Sequence, residues 1–167
     1  MSKSKPLRDA VKSKFYPFAR ERGFIRGKAN SLEVPFQRKS DSTFDWFEIQ
    51  WEKYHRPAFV IHFDQYPLDS EFFVGNDGSQ CLSSEDLPGS AGSLKRWKDG
   101  SLRTWFQLRR PWKQTFMSFK WAYSPDEVVT HVISAFDELE RWWETKEEGP
   151  HIYLPYGYPP QPLSSRP

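Results

Sequence analysis

Two stretches on either side of His55-Arg56-Pro57 alternate apolar and polar side chains in the same phase, and this constrains the fold more than any other feature. Their odd-numbered positions carry rings and branched aliphatic side chains: Phe47, Ile49, Trp51, Phe59, Ile61 and Phe63. Successive side chains of a strand point to opposite faces, so this alternation indicates two half-buried strands. A short connection that sets residue 54 against residue 58 sends both odd-numbered sets to one core face. We therefore predict a β-hairpin over residues 44–66.

The even-numbered face of this hairpin is the predicted binding surface. The register pairs Trp46 with Tyr66, Glu48 with Asp64, Gln50 with His62, and Glu52 with Val60. Directly opposed carboxylates repel each other, so Glu48 and Asp64 need water, a nearby cation or a shifted pKa. Residues 101–109 also alternate, and arginines on such a strand would counter the two acids. The predicted partner-binding residues are Trp46, Glu48, Gln50, Glu52, His62, Asp64, Tyr66, Arg103, Trp105 and Arg109. The alternative is an ordinary hydrated sheet face whose ion pairs contribute about 0–1 kcal/mol each.

Amphipathic helices are predicted near both ends of the chain. Residues 7–22 place apolar side chains three and four apart, Pro17 should kink or divide this helix, and Gly23 ends it. The second helix begins at Ser124-Pro125-Asp126-Glu127, which combines an N-cap, proline at the first helical position and a capping-box glutamate. Its apolar stripe consists of Val129, Val132, Ile133, Phe136, Leu139 and Trp143.

The remaining segments complete the predicted fold. Residues 31–39 form a strand in which Pro35 indicates a sheet edge or a bulge, and residues 113–121 form a last strand. Residues 67–100 form a long loop, and residues 149–167 form a Pro/Tyr-rich tail. We predict one α+β domain over residues 1–148. It has an antiparallel sheet of about four to five strands, an N-terminal and a C-terminal helix on one face, and the other face partly open to water.

Charge is distributed in blocks along the chain, although the net charge is only +2. Residues 1–39 carry +8, residues 40–93 carry −8, residues 94–123 carry +7 and residues 124–167 carry −5. Such blocks either neutralise one another across a fold or form separate patches, and we favour neutralisation. The lone Cys81 excludes an internal disulfide, and no apolar run has signal-peptide or membrane-span length. A cytoplasmic protein without membrane contact is expected.

Two parts of the sequence resemble a known family. They are Leu7–Phe24, a helix with an internal proline that closes on Arg-Gly-Phe, and Phe47–Phe63 with its Gln-containing strand and return strand. Together they resemble the bacterial domain of unknown function 4304 family, over residues 7–65 and more weakly over 101–145. The resemblance implies a helix, a Gly-Phe turn, a sheet and a C-terminal helix, with no established activity. Some members occur near bacterial toxin systems, which implies an immunity or binding role.

Catalytic motifs find little support in the sequence. Glu48, Glu52, His62 and Asp64 could approach a divalent cation, but Glu52 and Lys53 are adjacent and point to opposite faces, so an Asp/Glu-x-Lys nuclease motif is absent. Neither a nucleophile elbow nor a phosphate-binding glycine loop is present. We predict no catalytic residue, no resident metal and no cofactor, and we keep a metal-assisted hydrolase as the third alternative.

Two binding functions are better supported than catalysis. The leading hypothesis is a non-catalytic protein that binds another macromolecule through the acidic and aromatic sheet face. Its expected partner is a protein, with a basic toxin as the candidate, which would make the chain a toxin-neutralising immunity protein. The second hypothesis is single-stranded nucleic-acid binding, because residues 94–121 interleave eight cations with tryptophan and phenylalanine rings.

Overall fold

An antiparallel sheet with helices on one face forms the body of the protein. The structure, a computed structural model, describes residues 3–69, 87, 89–97, 104–110, 115 and 120–155. The helices are α1 (Lys5–Ala10), a π-helical segment (Val11–Phe15), α2 (Tyr16–Glu21) and α3 (Pro125–Thr145). The strands are β1 (Ile25–Arg26), β2 (Glu33–Lys39), β3 (Thr43–Trp51), β4 (Ala58–Pro67), β5 (Gly92–Leu94), β6 (Phe106–Gln107) and β7 (Ile152–Tyr153). Strand order is β1-β2-β3-β4-β5-β7, and β6 also pairs with β4. The α+β prediction is confirmed, with more strands than expected.

The N-terminal helix is divided just before its internal proline. Pro17 has no N–H, and an uninterrupted α-helix would leave a carbonyl without its donor at this point. The chain widens into the π-helical segment Val11–Phe15 instead, and the Tyr16 N–H donates to the Val11 carbonyl five residues back. After α2, Gly23 takes a φ of 83° and ends the helix, as predicted. Phe24 is thereby directed into the core.

Pro35 lies in β2, where its missing donor costs little. Its carbonyl accepts a hydrogen bond from the Gly27 N–H at 2.9 Å. The nitrogen and the carbonyl of one residue in an antiparallel strand point to the same neighbouring strand, so the Pro35 nitrogen also faces β1. Only the two residues of β1 separate β2 from the sheet edge. The proline is therefore accommodated beside the edge, close to the predicted position.

The hairpin of β3 and β4 has the predicted phase but not the predicted register. The odd-numbered rings face the core, and Phe47 pairs with Phe63, Ile49 with Ile61 and Trp51 with Phe59. The expected pairs of Glu48 with Asp64, Gln50 with His62 and Trp46 with Tyr66 are wrong by two residues. Such a slip keeps every side chain on its predicted face, because the period of a strand is two.

Glu52 causes the difference in register. The strands close one pair earlier than predicted, where the Glu52 N–H donates to the Ala58 carbonyl at 3.0 Å. The Glu52 carboxylate then accepts hydrogen bonds from the backbone N–H groups of Tyr54 (2.8 Å) and Arg56 (3.1 Å), while His55 takes a φ of 60°. The connection therefore holds five residues and is organised by a buried side chain, which strand alternation does not reveal.

The core between the sheet and the helices is dominated by rings. Phe47 is fully buried, and its ring lies 4.7 Å from that of Phe36 and 5.2 Å from that of Phe136, between centroids. Helix α3 begins with the predicted capping box at Ser124 and presents its predicted stripe to this core. Since aromatic pairs add to the free energy of burying their surface, this contact between β2, β3 and α3 holds the two layers together.

Three segments differ from the predicted assignments. Strand β5 lies inside the predicted loop 67–100, and β7 lies inside the predicted irregular tail. Residues 104–109 are the described part of the predicted strand 101–109, and among them only β6 is a strand, which pairs with Ala58 and Phe59. Most of the predicted strand 113–121 lies outside the described residues. No helix in the described ranges has both the length and the apolar character needed to cross a bilayer.

Replacing Glu52 tests its role in the hairpin turn. Glu52→Ala leaves two backbone donors without their acceptor, and we expect the free energy of unfolding to fall by about 1–3 kcal/mol. Glu52→Gln retains a side-chain oxygen at the same position and should lose less. Urea denaturation of the three proteins measures the difference. Equal stability of the alanine variant and the parent would contradict this account of the turn.

Candidate functional site

The face predicted to bind a partner is mostly buried. Trp46, Glu48, Asp64 and Tyr66 do lie together on the even-numbered face of β3 and β4, but Trp46 and Glu48 are each only 2% exposed and Asp64 and Tyr66 each 6%. Glu52 is also buried, since it caps the hairpin turn. The expectation that these five side chains form an open surface is therefore wrong.

A second hydrophobic cluster covers one end of this face. Leu87 packs with Phe44, Trp46 and Tyr66, although it lies in the segment predicted as a long loop. The Tyr66 hydroxyl donates to the Gly89 carbonyl at 3.0 Å, which fixes the covering chain to β4. A single leucine among serines and glycines gives no periodic signal, so sequence alternation could not reveal this cover.

His62 is the centre of a hydrogen-bonded row across the same face. Its Nε2 lies 3.0 Å from the Gln50 Oε1, and its Nδ1 lies 2.9 Å from the Ser93 Oγ on β5. Burial lowers the pKa of His62 to about 4, and the nearby Lys95 acts in the same direction. At neutral pH the ring is therefore uncharged, with one nitrogen donating and the other accepting.

Ser93 and His62 are residue types that can serve as a nucleophile and its general base, but they lack the exposure and the basicity that catalysis requires. Ser93 is buried at 6% exposure within a regular strand ladder, where a substrate carbonyl has no room to approach. A histidine with a pKa of about 4 is also a weak base at neutral pH, because general bases work best near the operating pH. This row therefore holds strands β3, β4 and β5 in register.

Of the remaining predicted site residues, Trp105 and Arg109 do not join Glu48 and Asp64. Arg103 lies outside the described residues. Trp105 is half-buried and precedes β6, which pairs with the opposite end of β4 from Asp64. Arg109 is exposed and forms an isolated bridge with Ala122. No group of three or more possible metal ligands occurs in the ranges that the structure describes.

A charged network that the sequence did not reveal joins the sheet to α3. The Arg38 guanidinium donates to Asp45 at 2.8 Å and to Glu140 at 2.7 Å. Burial opposes its charge, but the hydrogen bonds that Arg38 donates to Glu140 and Asp45 outweigh that cost and raise the pKa of Arg38. Gln65 extends the network by donating to the second oxygen of Asp45 at 2.7 Å. Removing one partner from such a half-buried network leaves the other charge uncompensated, so the network is structural.

A concave site lies between α2 and the β1 edge of the sheet. Its volume is about 450 Å³, within the range of ligand-binding clefts. It is lined by Lys12, Tyr16, Pro17, Arg20, Phe24, Ile25, Arg26 and Phe36. Rings form the floor: the Tyr16 ring packs edge-on against Phe36, with 5.3 Å between centroids. Cations stand at the rim, because Lys12, Arg20 and Arg26 are all exposed.

Some cations of the N-terminal segment pair with an acid, and among the described residues the cleft cations do not. Lys14 pairs with Asp126 at 2.9 Å, Arg22 with Asp137 at 3.5 Å, and Arg38 with two acids. Within the described part of the chain, no carboxylate pairs with any of the three cleft cations, which we call the cleft triad: Lys12, Arg20 and Arg26. The fold therefore neutralises part of the basic N-terminal block, and three cations without a described acidic partner remain at the cleft.

Tyr16 adds a polar group to the wall of the cleft. Burial raises the pKa of Tyr16, and the neighbouring Arg26 and Arg8 offset part of that effect. The Arg26 guanidinium lies 5.5 Å from the centre of the Tyr16 ring. The phenol is thus a neutral hydroxyl that can donate a hydrogen bond. A ligand that combines an anionic group with an apolar group matches this arrangement of rim and floor.

The pKa of His62 predicts a specific pH dependence of stability. The unfolded chain takes up a proton near pH 6.5, whereas the folded protein does so near pH 4. The free energy of unfolding should therefore fall by about 3 kcal/mol between those two pH values because of this group, with no contribution above pH 7. Denaturation of the parent and of His62→Gln, measured from pH 4 to pH 8, isolates the effect. Parallel pH profiles for the two proteins would exclude it.

Comparisons of the chain with protein-family models, with curated proteins and with solved structures find no match. The resemblance to the bacterial domain of unknown function 4304 family therefore stays a prediction.

Proposed function

We propose that this protein is a non-catalytic binding protein that takes an acidic, partly apolar segment of another protein into the cleft between α2 and β1. The observation that carries the proposal is the cleft triad, which surrounds an aromatic floor without an acidic partner among the described residues. Exposed charges of one sign around an apolar depression attract a ligand of opposite charge and increase its rate of encounter.

This proposal keeps the predicted class of function, a non-catalytic binding protein, but assigns binding to the cleft instead of the acidic sheet face. An acidic face that meets a basic partner requires exposed carboxylates, and Glu48 and Asp64 are buried. The exposed and unpaired charges at a concave site are positive instead. A role in neutralising a toxin belongs to the same class and stays a prediction, with the expected partner surface now acidic.

Removing the charge of the cleft triad tests the proposal. Peptides that bind the protein are selected from a random display library, and their affinity is measured by fluorescence anisotropy. We expect acidic and aromatic residues to be enriched. For the variant Lys12→Gln, Arg20→Gln and Arg26→Gln we expect affinity to be about ten- to a hundredfold lower, since each exposed charge contributes up to about 1 kcal/mol.

The matched control removes three positive charges elsewhere. Lys28, Lys39 and Lys53 are exposed and lie outside the cleft, so Lys28→Gln, Lys39→Gln and Lys53→Gln change the net charge equally. The control should bind the selected peptides within about twofold of the parent. Equal losses in both triple variants would show a general charge effect and would count against the cleft.

Single-stranded nucleic-acid binding is the second candidate, because two tryptophans of the predicted basic stretch are exposed. Trp121 is 83% exposed and Trp97 is 44% exposed. Exposed cations accompany Trp121: Lys120 precedes it in the chain, and Arg109 bridges to the following Ala122. Against this reading, Arg110 is already paired with Glu127 at 3.1 Å, and Lys95 and Arg96 are buried.

Replacing Trp121 separates this candidate from the first. If bases stack on its ring, Trp121→Ala should weaken binding of a labelled oligothymidine by roughly 1–3 kcal/mol, with affinity that falls steeply as salt rises. Tyr54, an exposed ring at the hairpin turn, supplies the control Tyr54→Ala. Equal oligothymidine affinity of the parent and Trp121→Ala would exclude stacking on this residue.

A further inference from the structure

The cleft lies beside an open end of the sheet. Strand β1 is terminal in the strand order, and β2 is its only partner among the described strands. Both of its residues, Ile25 and Arg26, are exposed and also line the cleft. A terminal strand with accessible backbone groups can pair with an extended chain from outside.

The register shows which peptide groups of β1 face outward. Gly27 donates its N–H to Pro35 directly across the ladder, so this pair is a hydrogen-bonded one. Bonded and non-bonded pairs alternate along an antiparallel ladder, so Ile25 also faces β2, while Arg26 turns its N–H and C=O to the outer side. Neither group of Arg26 has a hydrogen-bond partner within the described ranges.

An added strand at this edge would place its side chains in a fixed pattern. Side chains two residues apart share one face, so alternate side chains of the added strand would lie on the helix side, above the cleft. There the aromatic floor suits an apolar side chain, and the cleft triad suits a carboxylate two residues away. The cleft and the backbone groups of Arg26 are thus positioned to act on the same ligand.

We propose that the partner contributes an extended acidic segment that pairs as a strand with the outer edge of β1. Its main chain bonds the N–H and C=O of Arg26, one apolar side chain fills the cleft, and a carboxylate two residues away meets the cleft triad. This inference rests on the proposed function and specifies how the ligand is held. Charge selects the segment and the backbone pairing sets its orientation and register.

Alternate N-methylation of a selected peptide tests the pairing directly. Residues of an added strand direct their N–H groups in turn toward β1 and toward solvent. Two versions of the peptide are made, methylated on the odd-numbered or on the even-numbered residues, and fluorescence anisotropy measures the affinity of each for the parent protein. One version should bind at least about tenfold more weakly than the parent peptide, and the other should bind within about twofold of it.

The possible outcomes distinguish the binding mode from the binding site. If both methylated versions bind like the parent peptide and the cleft-triad variant still loses affinity, strand addition is wrong and the proposed function stands. If no selected peptide depends on the cleft triad, both proposals fail. A dimer seen by light scattering without peptide, and lost in the cleft-triad variant, would identify a second copy as the occupant and would overturn the partner segment.

Discussion

The common phase of β3 and β4 is the constraint on which the rest of the structure depends. Their odd-numbered side chains all face the helices, and Phe47 and Phe63 sit opposite each other at the centre of that face. A shift by one residue would send these rings to the other face and the buried carboxylate of Glu48 into the aromatic core. Helix α3 and the divided N-terminal helix can pack only on the ring-bearing side, so the position of the cleft also follows from this phase.

Patterns of local origin could be predicted from the sequence, and contacts between distant segments could not. Alternation predicts the faces of β3 and β4, and the capping box at Ser124 predicts the start of α3, because both signals are written in neighbouring residues. The register depends instead on the Glu52 carboxylate bonding to two later backbone groups. The cover of the second face depends on Leu87, an isolated apolar residue in a polar stretch. Neither the Glu52 hydrogen bonds nor the Leu87 contacts produce a periodic pattern in the sequence. The predicted strand pairs and the predicted exposure of the second face were wrong for this reason.

The blocks of charge illustrate the same limit. Mutual neutralisation was the favoured prediction, and it holds in part: the basic N-terminal block pairs with acids of α3 through Lys14, Arg22 and Arg38. The members of the cleft triad are separated by eight and six positions in the sequence, and nothing there distinguishes them from cations that find acids. Only the packing of α2 beside β1 brings them to one cleft, and none of the described residues that line it is a carboxylate. The candidate site lies where three of the cations without an acidic partner in the described ranges meet an aromatic floor.

Arg38 and the cleft triad differ in burial, and therefore in the free energy that their charges cost the folded state. Arg38 is only 23% exposed at its side chain and has two acids within 3 Å, and loss of either acid would leave a charge that water reaches poorly. The cleft triad is exposed, so water and counter-ions screen its mutual repulsion and the fold keeps it at small cost. The same exposure makes its charge accessible to an incoming carboxylate. As the apolar part of a ligand fills the cleft and displaces water, the screening weakens, and the attraction between that carboxylate and the cleft triad grows. Apolar and acidic groups on one ligand should therefore reinforce each other at this site.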